Sequence, residues 1–319
     1  MAWFYLGTPM PLATESLTPS QLRELEQVDA RHVPRLAVFL MLYLGAAALS
    51  VMLAARDAAW TDWLARAPLY LIAAASLHGI SLFTHEAVHG GLARRPWLNR
   101  LGGIACALPV LQNYAAYKVL HLKHHADLGG GKDPDHYANY TGRRWLELLM
   151  HVGRLLLGYP AYITMIPILG WRQGTTAERR WVMFEVALVV AGLTAAVIFI
   201  PGQVLLHAWA IPMLLLNTLV NVRGMSQHTF LPESTHPVRG SRTILSNPVT
   251  RFFMCNENYH LEHHLYPRVP WYNLPALHRT LRADLVAQGA PFIPSYFSFV
   301  RGVLSGSLIR GAKPATPDA

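Results

Sequence analysis

Four stretches of this chain are apolar for about twenty residues at a time, the length that crosses the hydrocarbon core of a bilayer. They run over 33–55, 64–83, 181–200 and 203–222. Backbone polar groups in lipid must be satisfied within their own segment, so runs of this kind predict helices. Composition agrees: 52% of the chain is apolar and only 14% charged, against about 25% charged in an average soluble domain. The expected fold class is therefore an all-α integral membrane protein with four transmembrane helices.

Three histidine clusters lie at or beyond the ends of these runs. His85-Glu86-Ala87-Val88-His89 follows the second run directly. His121-Leu122-Lys123-His124-His125 and His260-Leu261-Glu262-His263-His264 share the spacing H-x-x-H-H. On a helix, residues three and four apart share a face, about 5–6 Å between Cβ atoms. Each cluster thus presents two or three imidazoles in one direction. Imidazole is a usual ligand for Zn, Cu, Fe and Ni, and together the clusters could hold one metal or a pair. With the chain's histidine content, chance would produce H-x-x-H-H about 0.04 times per chain; here it occurs twice.

A single site requires all three clusters on one side of the membrane, so an even number of crossings must separate them. Two further apolar stretches have to fit that parity. Residues 101–117 are short and interrupted by Pro109, and we read them as a re-entrant or buried segment. Residues 145–171 carry His151 and Arg154 and are interrupted by Gly158-Tyr159-Pro160, and we read them as helices lying at the interface. A polar turn over 56–63, with Arg56, Asp57 and Asp62 and the interfacial aromatics Trp60 and Trp63, joins the first two spans. Pro201-Gly202 joins the last two.

This topology places 25 of the 27 Lys and Arg residues on the cluster side, leaving only Arg56 and Arg66 opposite. By the positive-inside rule the clusters and both termini are cytosolic. The net charge of +9 then reflects cytoplasmic loops, and no nucleic-acid partner is expected. A bacterial inner membrane is the expected location. Met1 to Ser20 has no basic residue and does not resemble a signal peptide.

We expect one domain over 1–319, with an N-terminal cytosolic segment (1–32) and a helical cap and tail (223–319). Thr18-Pro19-Ser20 starts a short surface helix. Tyr272 to Gln288 has helical spacing. Phe292 to Ile309 is a further helix, on the membrane surface or packed on the cap, and 311–319 is a loose tail. Cys106 and Cys255 stand alone and suggest neither a disulfide framework nor a zinc ribbon.

Other motifs compete for the histidines. His85-Glu86-Ala87-Val88-His89 also matches H-E-x-x-H of zinc proteases, but that reading leaves both H-x-x-H-H clusters without a purpose. A haem carrier would place its histidines within spans on facing helices, not at span ends. Gly129-Gly130-Gly131-Lys132 lacks the Ser or Thr of a phosphate loop, since Asp133 follows it; it reads as a flexible connection near the site. Metal-bound imidazoles usually donate their second N–H to a carboxylate or carbonyl. Glu86, Asp133, Asp135 and Glu262 are candidates for that role. His78, inside the second span, reads as structural or supporting rather than as a ligand.

With these residues in view, the chain resembles the membrane fatty acid desaturases. The three boxes, their order and the intervening pair of spans fit. So do Gly90 after the first box, Asp133-Pro134-Asp135 after the second, and Asn256 to Pro267 continuing into Val269-Pro270-Trp271-Tyr272. The resemblance covers roughly residues 80–275 and is specific for the superfamily rather than the reaction, because hydroxylases and ketolases share similar boxes. It implies a non-haem centre of two irons, with O2 as co-substrate and a long acyl chain as substrate. The implied ligands are His85, His89, His121, His124, His125, His260, His263 and His264. A further histidine before the third box is implied, and His228 is best placed, ahead of His236. Asn221 stands seven residues before His228, so the asparagine ligand of some relatives does not carry over cleanly. Asn256 and Asn258 are implied to hold a water or a histidine. His260 stands where front-end desaturases, with their fused cytochrome b5, have Gln. A separate electron donor of the ferredoxin or cytochrome b5 type is therefore implied. The chemistry agrees, because a saturated chain has no acidic proton and its oxidation belongs to a metal cofactor.

Overall fold

The computed structural model describes residues 16–55 and 61–309. The turn residues Arg56, Asp57 and Trp60, the first fifteen residues and the 311–319 tail lie outside the described residues.

The described chain is helical almost throughout. In order come α1 (Pro19–Leu25), α2 (His32–Ala54), α3 (Thr61–Val88), α4 (Pro96–Ala107), α5 (Tyr114–Ala126), α6 (Arg144–Gln173) and α7 (Thr176–Phe199). These are followed by α8 (Gly202–Leu205), a π-helical turn (Leu206–Ala210) and α9 (Ile211–His228). The C-terminal part holds α10 (Pro248–Phe253), α11 (His260–Leu265), α12 (Leu274–Ala287) and α13 (Tyr296–Leu304). Two short strands, β1 (Thr243–Ile244) and β2 (Phe292–Ile293), pair in parallel.

Five helical stretches are long and apolar enough to cross a membrane, where four were expected. Four of them match the predicted runs: His32–Ala54, Trp63–Val88, Thr176–Phe199 and Gly202–His228. The fifth corrects the sequence reading. Residues 145–171 are not helices broken at Gly158-Tyr159-Pro160 but part of one 30-residue helix, α6, which runs through Pro160 and Pro167.

The repair comes from α9. Proline removes a helical N–H and crowds the carbonyl four residues earlier. Asn217 donates from Nδ2 to the carbonyl of Leu155 at 2.8 Å, with Leu156 O at 3.4 Å, and accepts the Tyr159 N–H on Oδ1 at 2.9 Å. The groups that Pro160 disturbs are thus satisfied by one side chain, and the helix continues. Neighbouring helices and polar side chains are the usual means of tolerating proline in such helices.

Residues 101–117 form no single span. α4 and α5 are 12 and 13 residues long, with a 3-10 turn between them and Leu111 in the left-handed region (φ 59°). Each is shorter than the roughly 20 residues needed to cross. Cys106, Ala107, Val110 and Ala116 are buried, so the bent, buried reading holds.

By their packing the residues fall into two compact units interleaved along the chain. A histidine-rich unit takes in the described residues up to Val28, His121–Val152 and those from Val222 onward. An apolar unit takes in Asp29–Leu120 and Gly153–Asn221.

In the apolar unit α2 and α3 pack closely because Gly79 offers no side chain. A Cβ there would lie 2.4 Å from the Phe39 ring. α7 opens with a capping box: the Thr175 N–H donates to Glu178 Oε2 at 2.7 Å, and the Glu178 N–H to Thr175 Oγ1 at 3.4 Å.

The histidine-rich unit has its own core. Leu274, Leu277, Leu281 and Leu285 recur at helical spacing on α12 and are fully buried against Leu261 and Leu265 of α11. Burying a leucine side chain contributes about 1.5–3 kcal/mol, so this seam fixes the rotation of α11. The short α1 begins as expected, with Thr18 and Gln21 capping one another. It is held by Asn273, whose Nδ2 donates to Leu25 O at 2.7 Å.

Candidate metal centre

The second and third boxes meet within the histidine-rich unit. Seven imidazoles bring their Nε2 atoms into two groups. In the first, His124 and His228 Nε2 are 3.3 Å apart, His228 and His260 3.0 Å, and His260 and His264 3.1 Å. In the second, His121 and His125 are 3.1 Å apart and His125 and His263 3.2 Å. Nitrogens of His124, His228 and His264 all lie within 4.8 Å of one another, as do those of His121, His125 and His263. Both groups arise from the H-x-x-H-H spacing. On α11 the leucine seam holds one face, which leaves His260, His263 and His264 to the other.

The second ring nitrogens show what the Nε2 atoms are for. His124 Nδ1 donates to the Asp133 carboxylate at 2.8 Å. His228 Nδ1 donates to the Gly240 carbonyl at 3.0 Å. Neither partner can donate in return, so each neutral imidazole carries its proton on Nδ1 and faces the other with a bare lone pair. Two lone pairs 3.3 Å apart repel unless a cation lies between them. Two nitrogens bound to one metal at about 2.0–2.1 Å, at roughly 90–110°, would themselves be about 2.9–3.4 Å apart. The donor set therefore fits a metal ion.

Electrostatics differ within the cluster. Burial opposes charge on His124, but the hydrogen bond it donates to Asp133 and the charges of Asp135 and Asp133 outweigh it and raise its pKa. His264 is held well below the ordinary imidazole value by burial, and then by the surrounding His125, His260, His228 and His124. It stays neutral, the form that binds metal.

Asp133 is itself closely held. Besides the imidazole N–H, Oδ1 accepts the Asp135 N–H at 2.8 Å, and Oδ2 accepts the Gly129 N–H at 2.7 Å. Burial would raise its pKa, yet the His124 contact and these amides lower it. The glycine run, expected to be a flexible connection, is thus a shaped cradle. Gly129 has φ +64°, and a Cβ on it would lie 2.5 Å from the Ser234 carbonyl oxygen. Asp135 is more peripheral, with Oδ2 3.9 Å from His124 Nδ1 and a half-exposed side chain.

Other expected supporting residues have different partners. Glu262 is fully buried and accepts from the Thr243 hydroxyl and His278 Nδ1, tying the third box to β1 and α12. Asn256 donates to Trp271 O at 3.0 Å and Asn258 to Ile244 O at 2.9 Å. These asparagines hold backbone carbonyls rather than imidazoles. Cys255 and Asn256 are both left-handed, with φ 44° and 56°, so the third box is reached through a strained turn.

His236 accepts the Val238 and Arg239 amides and serves as a turn cap. Asn221 donates to Asn217 and takes no part in either group. In the apolar unit, His85 and His89 stand at the end of α3 with ring centroids 5.1 Å apart, and His85 and Glu86 are buried. His78 is buried on α3 and belongs to neither group.

Two supporting residues escaped the sequence reading. The Gln227 amide lies 3.0 Å from His260 Nδ1, and Glu257 Oε2 lies 3.4 Å from the same atom. A signal for each was present. Glu257 stands three residues before His260, and Gln227 immediately precedes His228.

A mostly helical chain with membrane-length apolar helices and a buried polyhistidine cluster able to bind metal defines an integral membrane protein of metal-site type. The chain belongs to the fatty acid desaturase family, whose model matches residues 61–296. It is 23% identical over 249 residues to the sn-1 oleoyl-lipid 12-desaturase of Arthrospira platensis, covering 66% of this chain and 67% of that one. It is 28% identical over 214 residues to a beta-carotene ketolase of Paracoccus sp. (strain N81106 / MBIC 01143), covering 62% and 73%. It is 27% identical over 241 residues to the sphingolipid delta(4)-desaturase of Xenopus tropicalis, covering 73% and 69%. The relatives are oxidoreductases of the desaturase, ketolase and hydroxylase superfamily, whose family is of non-haem iron oxygenase type.

Proposed function

We propose that the chain is a membrane desaturase that uses O2 and two iron ions to introduce a C=C bond into a long acyl chain. The observation that carries this reading is the set of Nε2 atoms facing one another at 3.0–3.3 Å while Asp133 and the Gly240 carbonyl hold the opposite ring nitrogens. The proposed ligands are His121, His124, His125, His228, His260, His263 and His264, with His85 and His89 added from their box spacing and the family. When bound, iron supplies the O2-activating chemistry that an unactivated C–H bond requires.

The residues of the chain then have distinct tasks. The imidazoles bind through Nε2. Asp133 and the Gly240 carbonyl fix ring tautomer and orientation, a role whose loss typically costs 10–100-fold in metal affinity or activity. Burial of His121, His124, His260 and His263 excludes water. Electrons come from a separate protein of the ferredoxin or cytochrome b5 type.

For topology we propose four crossings, by α2, α3, α7 and the α8–α9 stretch, with the histidines cytosolic. His124 precedes α6, α7 and α9 in the chain, His228 is the last residue of α9, and the two approach to 3.3 Å. That contact supports an even number of crossings between them, so α6 is embedded without a net crossing.

A ketolase or hydroxylase on the same centre is the second reading, favoured by the similarity to the Paracoccus beta-carotene ketolase. Mass spectrometry of lipids from a bacterial host expressing the chain, beside His263→Ala, separates the two. Loss of two hydrogens from an acyl chain, absent in the variant, is the expected result. Gain of oxygen would replace desaturation with the second reading.

A further inference from the structure

We propose that a groove between α6 and α7 in the apolar unit binds an anionic phospholipid, with an acyl chain along the groove and the phosphate on Arg172. The groove encloses about 600 Å³ and is lined on α6 from Ile163 to Arg172 and on α7 from Val182 to Val190. At 1.5 Å rise per residue these faces are roughly 12–14 Å long. Only Gly174 and Thr175 separate the two helices, so Arg172 sits at the end of the groove where α7 begins.

The lining decides the ligand class. Asn113 and Thr164, two polar side chains of the lining, have partners within the protein. Asn113 accepts the Ala116 N–H at 2.8 Å and donates to the Val182 carbonyl at 3.0 Å. The Thr164 hydroxyl donates back to the carbonyls of Ala161 and Pro160, at 3.0 and 3.2 Å. The rest of the wall is hydrocarbon, including Ile163, Ile168, Val186 and Val190. Away from the Trp171 and Arg172 end, a sugar or nucleotide would find no uncommitted donor or acceptor on these side chains.

Arg172 differs. It is exposed, and its guanidinium has no hydrogen bond or ion pair among the described residues. Two nearby arginines are engaged: Arg179 lies 5.1 Å from the Trp171 ring centre and donates to the carbonyls of Trp171 and Arg172, and Arg100 lies 4.4 Å from that of Trp181. Tryptophans and arginines at one level mark a membrane interface. The groove therefore offers hydrocarbon along its length and, in Arg172, an uncommitted cation of its own lining at headgroup depth. A second copy of this chain would bring the same cations to that end and be repelled.

The test is native mass spectrometry of the full chain in mild detergent, offered equimolar phosphatidylglycerol, phosphatidylethanolamine and oleic acid. One surface arginine favours an anionic lipid about fivefold. The expected result is a single phosphatidylglycerol adduct preferred over phosphatidylethanolamine by about that factor. Arg172→Gln should bring the two to parity while both still bind. Val186→Trp, which fills the groove, should remove both. Thermal unfolding of each variant checks its fold, and Arg172→Gln decides alone if Val186→Trp is unstable. Equal binding by the unmodified chain, a preference that survives Arg172→Gln, oleic acid outcompeting both phospholipids, or a dimer in place of the adduct would each overturn the proposal. The readout is lipid mass, so a failed desaturase assay would leave it standing.

Discussion

His124 and His228 bring their Nε2 atoms to 3.3 Å while each holds its Nδ1 on an oxygen that can only accept. Histidines 104 positions apart are thus fixed in one tautomer and aimed at one point. That geometry is costly for a metal-free protein and favourable for a metal-bound one, and it leads to the first prediction. His228→Ala and His121→Ala, one from each imidazole group, should each lose half or more of the bound metal. Metal analysis of the purified protein checks this. Unchanged metal content in either variant would remove that histidine from the ligand set.

Asp133 acts through His124. Asp133→Asn keeps the shape but replaces a carboxylate acceptor with an amide that can turn either way. Metal affinity should fall about 10–100-fold with little change in secondary structure. Competition with a chelator, followed alongside circular dichroism, reads both. Full retention of metal would mean that the carboxylate serves only the loop.

Gly129 tests the loop directly. Gly129→Ala meets both a left-handed backbone and the Ser234 carbonyl, with the new Cβ 2.5 Å from its oxygen. The conformation alone costs about 1–2 kcal/mol. The Gly129 N–H would shift from Asp133, so metal retention should drop. Gly131→Ala has open space around its Cβ and should behave like the unmodified protein. Equal behaviour of the two variants would argue against the cradle.

Asn217 makes α6 continuous. Asn217→Leu leaves Pro160's disturbed backbone groups buried without partners, at about 1–3 kcal/mol. In a Pro160→Ala background the helix supplies its own N–H, and the same substitution should cost much less. Thermal unfolding of the four proteins forms a double-mutant cycle. A cost independent of Pro160 would separate Asn217 from the proline.

The sequence alone determined the helical class, the positions of the matched spans and which histidines share a helix face. Those signals are local: twenty apolar residues must be helical in lipid, and H-x-x-H-H puts imidazoles on one helix face. The helix start at Thr18 was local too, its cap joining residues three apart. What lay beyond sequence depends on partners distant in the chain. Asn217 completes a helix broken on paper by Pro160, which stands 57 positions earlier. Glu262 resembled a metal-site carboxylate because it sits among histidines, yet its oxygens face Thr243 and His278. Gln227 and Glu257 reach His260 only because α9 and the turn after α10 are brought together. Spacing selects which side chains share a face, whereas tertiary packing selects what that face meets. The direction of a carboxylate or a carbonyl belongs to the second.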